Sequence, residues 1–350
     1  MGFELLDVVA AHGAEQVAFA ADDETGLRAI VAIHSTVLGS GLGGTRFYPF
    51  ASEKEALVDV LRLAKGMAYK HAVCGNDLGG AKAVIIGDPR TDRTEPLILS
   101  YARLVDRLGG RYLTAEDVGT TQADMDLIRT VTPHVTGVSE SLGGSGDPSP
   151  ATAWGVLHAM QAVAERLWGD AALEGRHVAI AGTGKVGAAL ARHLADVGCR
   201  LTLADVRSDV VTALARELGA ATVDPAAIHQ VACDILSPCA LGATINARTI
   251  PDLRCAAVCG CANNQLATDA DGDRLAAAGV LYAPDYVVNA GGVINIADEL
   301  GPDGYHRERA LKRVETIHDT LAQVFAVAVA VTITPAVAAD RIAERRLGAR

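Results

Sequence analysis

Residues 177–187 read HVAIAGTGKVG, and this stretch decides the fold of the second half of the chain. His177–Ala181 has the length and apolar composition of a buried strand, and the glycines that follow it form the pattern GxGxxG. Where such a pattern joins a strand to a helix, the first glycine makes the turn and the second lets the backbone approach a pyrophosphate. The third allows the helix to pack closely on the strand. The alternative is a tight turn with only a structural purpose.

The residues after this loop favour a dinucleotide site. The helical run Ala188–Ala195 would direct its N-terminal N–H groups at phosphates. Asp205 ends the next predicted strand, about 20 residues on, where an acid binds the ribose 2′-hydroxyl and repels a 2′-phosphate. This arrangement predicts NAD as the cofactor, although Arg207 close by would favour NADP. The loop residues predicted to bind the cofactor are Gly182, Thr183, Gly184, Lys185, Val186 and Gly187.

The rest of the second half alternates short apolar runs with helical patterns. The runs Leu201–Ala204, Ala257–Cys259 and Val280–Tyr282 predict strands. Strands that alternate with helices form βαβ units around a parallel sheet. The sequence therefore predicts an α/β Rossmann domain.

The first half predicts a second α/β domain. Gln16–Phe19 and Leu27–His34 resemble the strands of a hairpin, with a polar connection that contains glycine. Gly39–Gly44 is interpreted as a turn. Ser52 and Glu55 have the spacing of a capping box, and the apolar residues after them recur at helical spacing toward Lys70. Gly79 and Gly80 are expected to break the chain before a strand at Ala83–Ile86, which would place Lys82 at a turn open to a cleft.

A segment rich in Gly, Ser and Pro predicts the domain boundary. Gly137–Pro150 has the composition of a linker and is a candidate hinge. Ser149 and Pro150 would then begin a long helix over Ala151–Leu167. We expect one domain at 1–145 and a second at 146–329. Arg307–Arg346 is predicted to be mostly helical, and we expect the C-terminal part of the chain, 330–350, to pack back on the first domain.

Composition limits the partners. The chain has 350 residues, 50% of them hydrophobic, and a net charge of −11, which argues against nucleic acid because phosphate binding needs a basic face. Its seven cysteines show no zinc spacing, so we expect reduced thiols in the cytoplasm and no metal. No signal peptide is visible at the N-terminus, and the longest apolar run, Phe325–Ile333, is too short to span a bilayer, so we expect no membrane association.

Two lysines are candidates for chemistry. Lys70 and Lys82 lie twelve residues apart among apolar residues and glycines. A lysine in apolar surroundings is costly unless it meets an anion or loses its proton. The pair suggests one group that binds a carboxylate and another that transfers protons. The alternative is that both side chains reach solvent, as most lysines do.

Eight blocks of sequence occur in a fixed order and cover most of the chain: LGGTRF (42–47), KGMAYKHA (65–72), LGGAKAVIIGDP (78–89), GRYLTAEDVGTT (110–121), AGTGKVG (181–187), SPCALGATIN (237–246), CANNQL (261–266) and YAPDYVVNAGGVINIADEL (282–300). Together they resemble the glutamate/leucine/phenylalanine/valine dehydrogenases, and most of all the leucine and valine members. The resemblance implies two domains, an N-terminal substrate domain and a Rossmann NAD-binding domain, with an active-site cleft between them.

The resemblance also implies roles for single residues. Lys82 matches the catalytic lysine, and Asp117 matches the acid that shuttles protons beside it. Lys70 and Asn264 match residues that hold the substrate carboxylate, and Gly43 lies where backbone contacts the substrate. Other positions that match the family's substrate pocket are Leu42, Met67, Ala115, Thr136, Val293 and Ile296; further cofactor positions are Cys239, Ala240, Asn263 and Asn289.

The implied reaction is reversible oxidative deamination of an L-amino acid to a 2-oxo acid and ammonia, with hydride transfer to NAD. A lysine acts as a base near neutral pH when burial and a neighbouring cation lower its pKa, and Lys70 is a candidate for that cation. Glutamate-specific relatives hold the γ-carboxylate with a lysine and a serine, where this chain has Leu42 and Ile296. Branched aliphatic substrates are therefore expected. An aromatic substrate or a weakly catalytic NAD-binding regulator is the alternative, and homo-oligomers are expected.

Ala81 departs from the family pattern, which usually has a third glycine before the catalytic lysine. If that position requires a positive φ, alanine is strained there by roughly 1–2 kcal/mol. If it does not, the change is harmless.

Overall fold

The chain divides into two units in the computed structural model, which describes residues 4–348. The first unit ends at Asp147, and it also takes in Ile296–His306 and the chain from Ala343 onward. The second unit comprises Pro148–Asn295 and Arg307–Ile342. The return of Ile296–His306 to the first unit had no signal in the sequence. Residues 1–3 and 349–350, which the domain prediction included, lie outside the described residues.

The first unit is built on a five-stranded mixed sheet with the order β1-β2-β4-β3-β5. β1 and β2 form the predicted antiparallel hairpin, and β4 pairs antiparallel with β2 but parallel with β3. The strands are β1 Gln16–Asp22, β2 Leu27–Ser35, β3 Gly41–Tyr48, β4 Gly79–Ile86 and β5 Tyr112–Glu116; the helices are α1 Leu5–Ala11, α2 Glu53–Val73, α3 Glu95–Arg107 and α4 Gln122–Arg129.

Two glycine segments that were interpreted as turns are strand residues. Gly41–Gly44 belongs to β3, and Gly79–Gly80 begins β4, so Lys82 lies within a strand. The reason is close approach of the backbones. A Cβ on Gly43 would lie 1.7 Å from the carbonyl oxygen of Ala81, and a Cβ on Gly80 would lie 2.1 Å from the backbone nitrogen of Ala68 in α2. These glycines admit neighbouring backbone and do not break the strands.

The two faces of this sheet carry separate cores because side chains alternate along a strand. Ala81, Ala83 and Ile85 of β4 pack with α3 and α4 on one face. Val84 packs on the other face against α2. The Ser52 hydroxyl accepts from the Glu55 N–H at 3.1 Å at the start of α2, while the Glu55 carboxylate accepts from Ala51 instead of Ser52, so half of the predicted capping box forms.

The second unit contains a six-stranded parallel sheet with the order β11-β10-β9-β6-β7-β8. Its strands are β6 His177–Ala181, β7 Arg200–Ala204, β8 Ala221–Thr222, β9 Ile235–Pro238, β10 Ala257–Val258 and β11 Leu281–Tyr282. The helices of this part are α5 Ser149–Trp168, α6 Lys185–Asp196, α7 Ser208–Leu218, α8 Ala270–Ala277, α9 Asp285–Val288 and α10 Gly291–Ala297. The strand and helix predictions around the GxGxxG loop are confirmed within one to three residues. Short 3₁₀ helices occupy Glu140–Leu142, Pro225–Gln230, Ile250–Asp252 and Asp298–Leu300.

The C-terminal segment is helical, as predicted, and consists of α11 Arg307–Glu315, α12 Ile317–Ala330 and α13 Pro335–Arg346. In the apolar run Phe325–Ile333, Phe325 and Ala328 are buried, whereas Val329 and Val331 are exposed by 61% and 50%. Within residues 4–348, no single helix has the length and apolar character needed to cross a membrane. One pair of helices, Arg307–Ala330 and Pro335–Arg346, meets the criteria of length and composition together, but it bends by 108°.

Candidate active site

Lys82 and Asp117 form the centre of a charged cluster in the first unit. The Lys82 Nζ lies 2.6 Å from Asp117 Oδ1. Arg46 donates from Nε to the second carboxylate oxygen of Asp117 at 3.1 Å, and its other guanidinium nitrogen reaches Asp59 at 2.8 Å. The Lys82 residue is only 5% exposed. Two cations therefore share one carboxylate, and the predicted pair of Lys82 and Asp117 is in direct contact.

Strand geometry explains why these groups meet. Lys82 lies on the α2 face of β4, two residues before Val84, and Arg46 lies on the same face of β3. Asp117 follows the last residue of β5 directly. A Cβ on Gly44 would lie 2.9 Å from the Asp117 Cβ and 2.5 Å from the Glu116 carbonyl oxygen. Gly44 thus leaves the space in which the end of β5 can approach β3.

The backbone of Asp117 is also held in place. Its N–H donates to the Thr120 hydroxyl at 2.9 Å, and that hydroxyl donates to the Thr45 carbonyl at 2.9 Å. Burial by itself raises the pKa of the Asp117 carboxyl, but the Lys82 and Arg46 charges outweigh it, so the pKa lies below its ordinary value. The carboxylate is therefore ionised at neutral pH and can accept a proton from a group beside it.

A buried hydroxyl network lies on the opposite face of the same strands. Thr45 is hydrogen-bonded to Tyr101, Tyr112 and Thr114. The Tyr112 hydroxyl donates to the Gly43 carbonyl at 2.8 Å. Gly43 was predicted to contact the substrate through its backbone, and its carbonyl oxygen is already occupied by Tyr112. The network stiffens β3 and β5 at the point where they carry Arg46 and Asp117.

Predicted pocket residues form an apolar cluster next to the charged one. Leu42, Ala115 and Ile296 are 0%, 4% and 9% exposed, and they pack with Leu113 and Leu78. Leu42 and Gly44 lie on one face of β3, as Ala115 and Asp117 do at the end of β5. Two residues span roughly 7 Å along a strand, so Leu42 lies about that far from Gly44, and Ala115 about that far from Asp117. An apolar wall therefore stands next to the Lys82–Asp117 pair.

Lys70 lies on α2, two residues after Ala68, whose backbone packs directly against Gly80 of β4. This places Lys70 on the helix that covers the Lys82 face of the sheet. Burial and then the nearby Lys70 ammonium lower the pKa of His71 to about 3, so His71 is neutral. Asn76 donates to its Nδ1 at 3.1 Å. Met67, on the same helix, is partly buried.

The remaining predicted substrate residues are distributed over both units. Thr136 is buried in the first unit, where its N–H donates to the Thr114 carbonyl at 2.9 Å. Val293 and Asn264 belong to the second unit. Asn264 has φ +51°, a left-handed conformation that asparagine tolerates better than most residues. Its carbonyl accepts from the Ala243 N–H at 2.7 Å, which holds this turn.

The glycine loop after β6 has the geometry expected of a phosphate-binding loop. Gly182 has φ +107°, so it makes the turn that a residue with a Cβ would strain. A Cβ on Gly184 would meet open space, which leaves room for a ligand at the start of α6. A Cβ on Gly187 would lie 2.0 Å from the Gly182 carbonyl oxygen, so the third glycine is required for packing. Lys185 and Val186 begin α6.

Asp205 closes this loop on the side of β7. Its Oδ2 accepts from the Thr183 N–H at 2.7 Å and from the Thr183 hydroxyl at 3.1 Å. Its Oδ1 accepts from the Arg207 N–H at 3.0 Å. Burial alone would raise the pKa of the Asp205 carboxyl, but these hydrogen bonds lower it to about 2. A permanent negative charge therefore lies beside the glycine loop.

Of the other predicted cofactor residues, Cys239 and Ala240 follow β9, the neighbour of β6; Asn263 follows β10, and Asn289 follows α9. A Cβ on Gly182 would lie 2.6 Å from the Ala240 Cβ, and one on Gly187 would lie 3.3 Å from the Cys239 Cβ. Asn289 donates to the Asn263 side chain at 2.7 Å. The Asn289 Oδ1 is buried and has no hydrogen-bond partner among the described residues.

This donor and acceptor set fits a nicotinamide dinucleotide. The open space at Gly184 suits a pyrophosphate, and the free Asn289 oxygen can accept a hydrogen bond from a ligand amide. The strand order changes direction between β6 and its neighbours β7 and β9, which is where ligands bind in open α/β sheets. Among the described residues, no group of three His, Cys, Asp or Glu side chains could hold a metal ion.

Sequence reasoning missed Arg46, Gly44 and Asp59. Arg46 lies in the LGGTRF block, four residues after Leu42, so a strand interpretation of this block would have placed both on one face. The interpretation of these glycines as a turn hides the alternation of side chains that places Leu42 and Arg46 on one face. Asp59 lies in α2, and its sequence position alone carries no such signal.

Comparison with known families gives matches over both units. The dimerisation domain of the Glu/Leu/Phe/Val dehydrogenases matches residues 14–134. The glutamate/leucine/phenylalanine/valine dehydrogenase domain matches residues 143–213 and 201–343.

Full-length relatives match along nearly the whole sequence. Leucine dehydrogenase of Geobacillus stearothermophilus is 52% identical over 344 residues, which is 98% of this chain and 93% of that protein. Valine dehydrogenase of Streptomyces coelicolor is 51% identical over 338 residues, which is 96% of this chain and 92% of that protein.

Solved structures show the same architecture. L-tryptophan dehydrogenase from Nostoc punctiforme superposes with a TM-score of 0.87 at 40% identity, covering 98% of each chain. The hetero-hexameric glutamate dehydrogenase from Thermus thermophilus has a TM-score of 0.79 at 23% identity, covering 99% of this chain and 95% of that one, and shows likeness of fold alone.

Proposed function

The chain belongs to the glutamate/leucine/phenylalanine/valine dehydrogenase family, and from this premise we propose that it deaminates branched-chain aliphatic L-amino acids with NAD. The products are the 2-oxo acid, ammonia and NADH, and the reaction is reversible. The observation that carries the proposal is the apolar wall of Leu42, Ala115 and Ile296 beside the Lys82–Asp117 pair. The names of the leucine and valine relatives support the same substrate class.

Lys82 and Asp117 are the proposed proton-transfer groups. Removal of hydride from the α-carbon leaves an imine, to which water adds before ammonia departs, and each step moves a proton at nitrogen or oxygen. Lys82 is the proposed base at the substrate. At 2.6 Å, Asp117 is within hydrogen-bond distance of the Lys82 ammonium and can relay protons to and from the amine. NAD, when bound, supplies the hydride acceptor.

The substrate carboxylate requires cations or amide donors. Lys70 is proposed to bind it, because α2 lies on the Lys82 face of the sheet through the Ala68–Gly80 contact. Asn264 is the proposed second ligand. Arg46 forms ion pairs with Asp117 and Asp59, so we propose that it positions Asp117 and does not bind the substrate.

The side-chain pocket selects against glutamate. A γ-carboxylate placed against Leu42 and Ile296 would lose its hydration without gaining a partner, which costs several kcal/mol. Leucine, valine and isoleucine would bury only apolar surface there. An aromatic substrate is the second candidate, because a tryptophan dehydrogenase shares 40% identity with this chain.

Two further properties are proposed. The match to a dimerisation domain supports self-association. A cytoplasmic location is supported by the seven cysteines, all of which are free thiols in the structure, as is typical of proteins in a reducing compartment.

A panel of L-amino acids with NAD⁺, followed by NADH absorbance, tests the substrate class. We expect leucine, valine or isoleucine to exceed glutamate by at least about 100-fold in kcat/KM, in line with an uncompensated buried charge. A tryptophan or phenylalanine preference would favour the aromatic alternative, and no turnover with any substrate would favour a regulatory homologue.

Lys82→Ala tests the mechanism. This variant should lose turnover by at least about 100-fold and still bind NADH, because a proton-transfer group contributes typically 10²–10⁴-fold. Lys54→Ala, at the exposed start of α2, is the matched control and should retain activity. An active Lys82→Ala enzyme would refute the assignment of Lys82 as the base.

A further inference from the structure

Four of the seven cysteines form two pairs across the neighbouring parallel strands β9 and β10. In this ladder Ile235 pairs with Ala257, and Leu236 pairs with Val258. The Cys233 N–H donates to the Arg254 carbonyl, which continues this register toward the N-terminus and places Cys233 opposite Cys255. Cys239 and Cys261 follow the C-terminal ends of the two strands, one residue after β9 and three residues after β10. Partners in adjacent strands have Cα atoms about 5 Å apart, within the range that a disulfide spans.

The second pair, Cys239 and Cys261, lies beyond the end of the regular ladder, where the pairing of the two chain segments shifts by one residue. The Cys259 N–H donates to the Leu236 carbonyl at 2.9 Å, and the Ala262 N–H donates to the Pro238 carbonyl at 2.9 Å. The Cys261 sulfur lies 4.0 Å from the Cys239 carbonyl oxygen. Both residues retain some solvent exposure.

The two pairs differ in their electrostatics. A hydrogen bond from the Cys261 thiol lowers the pKa of Cys239 against the effect of burial, and the Ser237 hydroxyl, 3.3 Å from the Cys239 sulfur, acts in the same direction. Burial raises the pKa of Cys233 to about 12 and that of Cys255 to about 11. The thiolate is the reactive form of cysteine, so Cys239 and Cys261 form the reactive pair.

Cys239 and Cys261 also touch the residues of the nucleotide site. A Cβ on Gly187 would lie 3.3 Å from the Cys239 Cβ, and the Cys261 carbonyl accepts from the Asn289 amide at 3.1 Å. The two cysteines therefore lie beside the glycine loop and Asn289, the groups predicted to bind the nucleotide.

We propose that Cys239 and Cys261 are a site of reversible oxidation by hydrogen peroxide, and that the disulfide formed between them weakens nucleotide binding. The Cys239 sulfur attacks the peroxide, so that an S–O bond forms, the O–O bond breaks and one water leaves. The Cys261 sulfur then attacks this sulfenic acid, forming the S–S bond and releasing a second water. Two electrons from the sulfurs reduce the peroxide, and a dithiol reverses the change.

The sites that bind nucleotide are themselves proposed, so the test separates cross-linking from binding. The purified protein is treated with hydrogen peroxide, its free thiols are counted, and the cross-linked peptide is mapped by mass spectrometry without reduction. NADH binding is followed by fluorescence before treatment, after treatment and after dithiothreitol. Cys261→Ser removes the proposed partner, and Cys255→Ser is the matched control from the other pair.

We expect the loss of two thiols, a Cys239–Cys261 peptide, and a Kd for NADH that rises at least about 10-fold and recovers with dithiothreitol. Cys255→Ser should give the same cross-link, and Cys261→Ser should give none. A cross-link at Cys233–Cys255, no cross-link, or a Cys239–Cys261 cross-link with an unchanged Kd would each overturn the proposal. Failure of the reduced protein to bind NADH would instead refute the proposed function, and the cross-link can still be mapped.

Discussion

At the scale of single residues, the site depends on how charges share partners. Asp117 serves two cations, Lys82 and Arg46, and Arg46 is anchored in turn by Asp59. An acid held between two cations stays ionised, and the lysine paired with that acid keeps a defined position. Arg46 therefore belongs to the catalytic arrangement as a positioning residue, although its side chain was not among the predicted ones.

Arg46→Gln should move the acid limb of the kcat/KM profile. The native pKa of Asp117 is depressed, so its ionised form persists as the pH falls to that depressed value and is lost below it. Without the guanidinium the Asp117 pKa rises, so activity should be lost at a higher pH than in the wild type. Arg28→Gln is the control because Arg28 pairs with Glu53 on the surface. An unshifted acid limb in Arg46→Gln would contradict this role.

Asp205→Ser should change the cofactor preference. The Asp205 carboxylate repels a 2′-phosphate, and Arg207 is held to it by hydrogen bonds. Removing the acid frees Arg207 and removes the repulsion, so the ratio of kcat/KM with NADP⁺ to that with NAD⁺ should rise at least about 10-fold, about 1.4 kcal/mol. Asp209→Ser, at the exposed start of α7, should leave the ratio unchanged. An unaltered ratio in Asp205→Ser would show that Asp205 only supports the loop.

At the scale of elements, glycines determine how closely strands and helices approach. β3 and β4 lie together because Gly43 faces the Ala81 carbonyl, and α2 lies on β4 because Gly80 faces Ala68.

The alanine at position 81, where the family usually has glycine, is compatible with the backbone conformation found there. The described residues other than glycine with positive φ are Ala243, Asn264 and Thr332, so the alanine before Lys82 is unstrained and its methyl group fills the core.

Gly43→Ala should destabilise the first unit. The new Cβ would lie 1.7 Å from a backbone oxygen that cannot move without separating β3 from β4. Overpacking costs typically 1–3 kcal/mol and more against backbone, so we expect a loss of about 3 kcal/mol in the free energy of unfolding. Denaturant titration followed by circular dichroism measures it.

Gly66→Ala is the matched control in the same unit. Its Cβ would meet open space, and the residue lies in the interior of α2, where alanine is the better helix former. We expect a gain of about 1 kcal/mol. Equal effects of the two substitutions would show that close approach does not determine the cost.

At the scale of the whole molecule, the two units carry different chemistry. The first holds Lys82, Asp117 and the apolar wall, and the second holds the glycine loop, Asp205 and Asn289. The chain passes between the units four times, because Ile296–His306 and the last residues return to the first. Glu299, within the returning segment, accepts from the N–H groups of Gly137 and Ser145.

NADH should protect the second unit selectively from hydrogen exchange. Ligand at 100 times its Kd stabilises the bound state by about 2.7 kcal/mol, and that protection appears where the ligand is held. We expect exchange in the loop 182–187 to slow by at least about 10-fold, while the β1–β2 hairpin changes less than about 2-fold. Mass spectrometry of peptic fragments measures both. Uniform protection, or none in the loop, would contradict the location of the nucleotide site.

The amino-acid sequence by itself determined the Rossmann half, because GxGxxG between a strand and a helix is a local pattern that needs no partner to be recognised. It also identified the family and the pair Lys82 and Asp117 through ordered blocks. Tertiary structure decided the rest. Glycine permits both a turn and a strand, so the sequence of Gly41–Gly44 does not decide between them. The structure shows a strand in which the nearby Ala81 carbonyl requires glycine at position 43. The tertiary structure also decided the partnership of Arg46 with Asp117 and the return of Ile296–His306 to the first unit. Both join residues far apart in the chain, and such contacts follow from how strands are ordered and segments pack, not from local sequence.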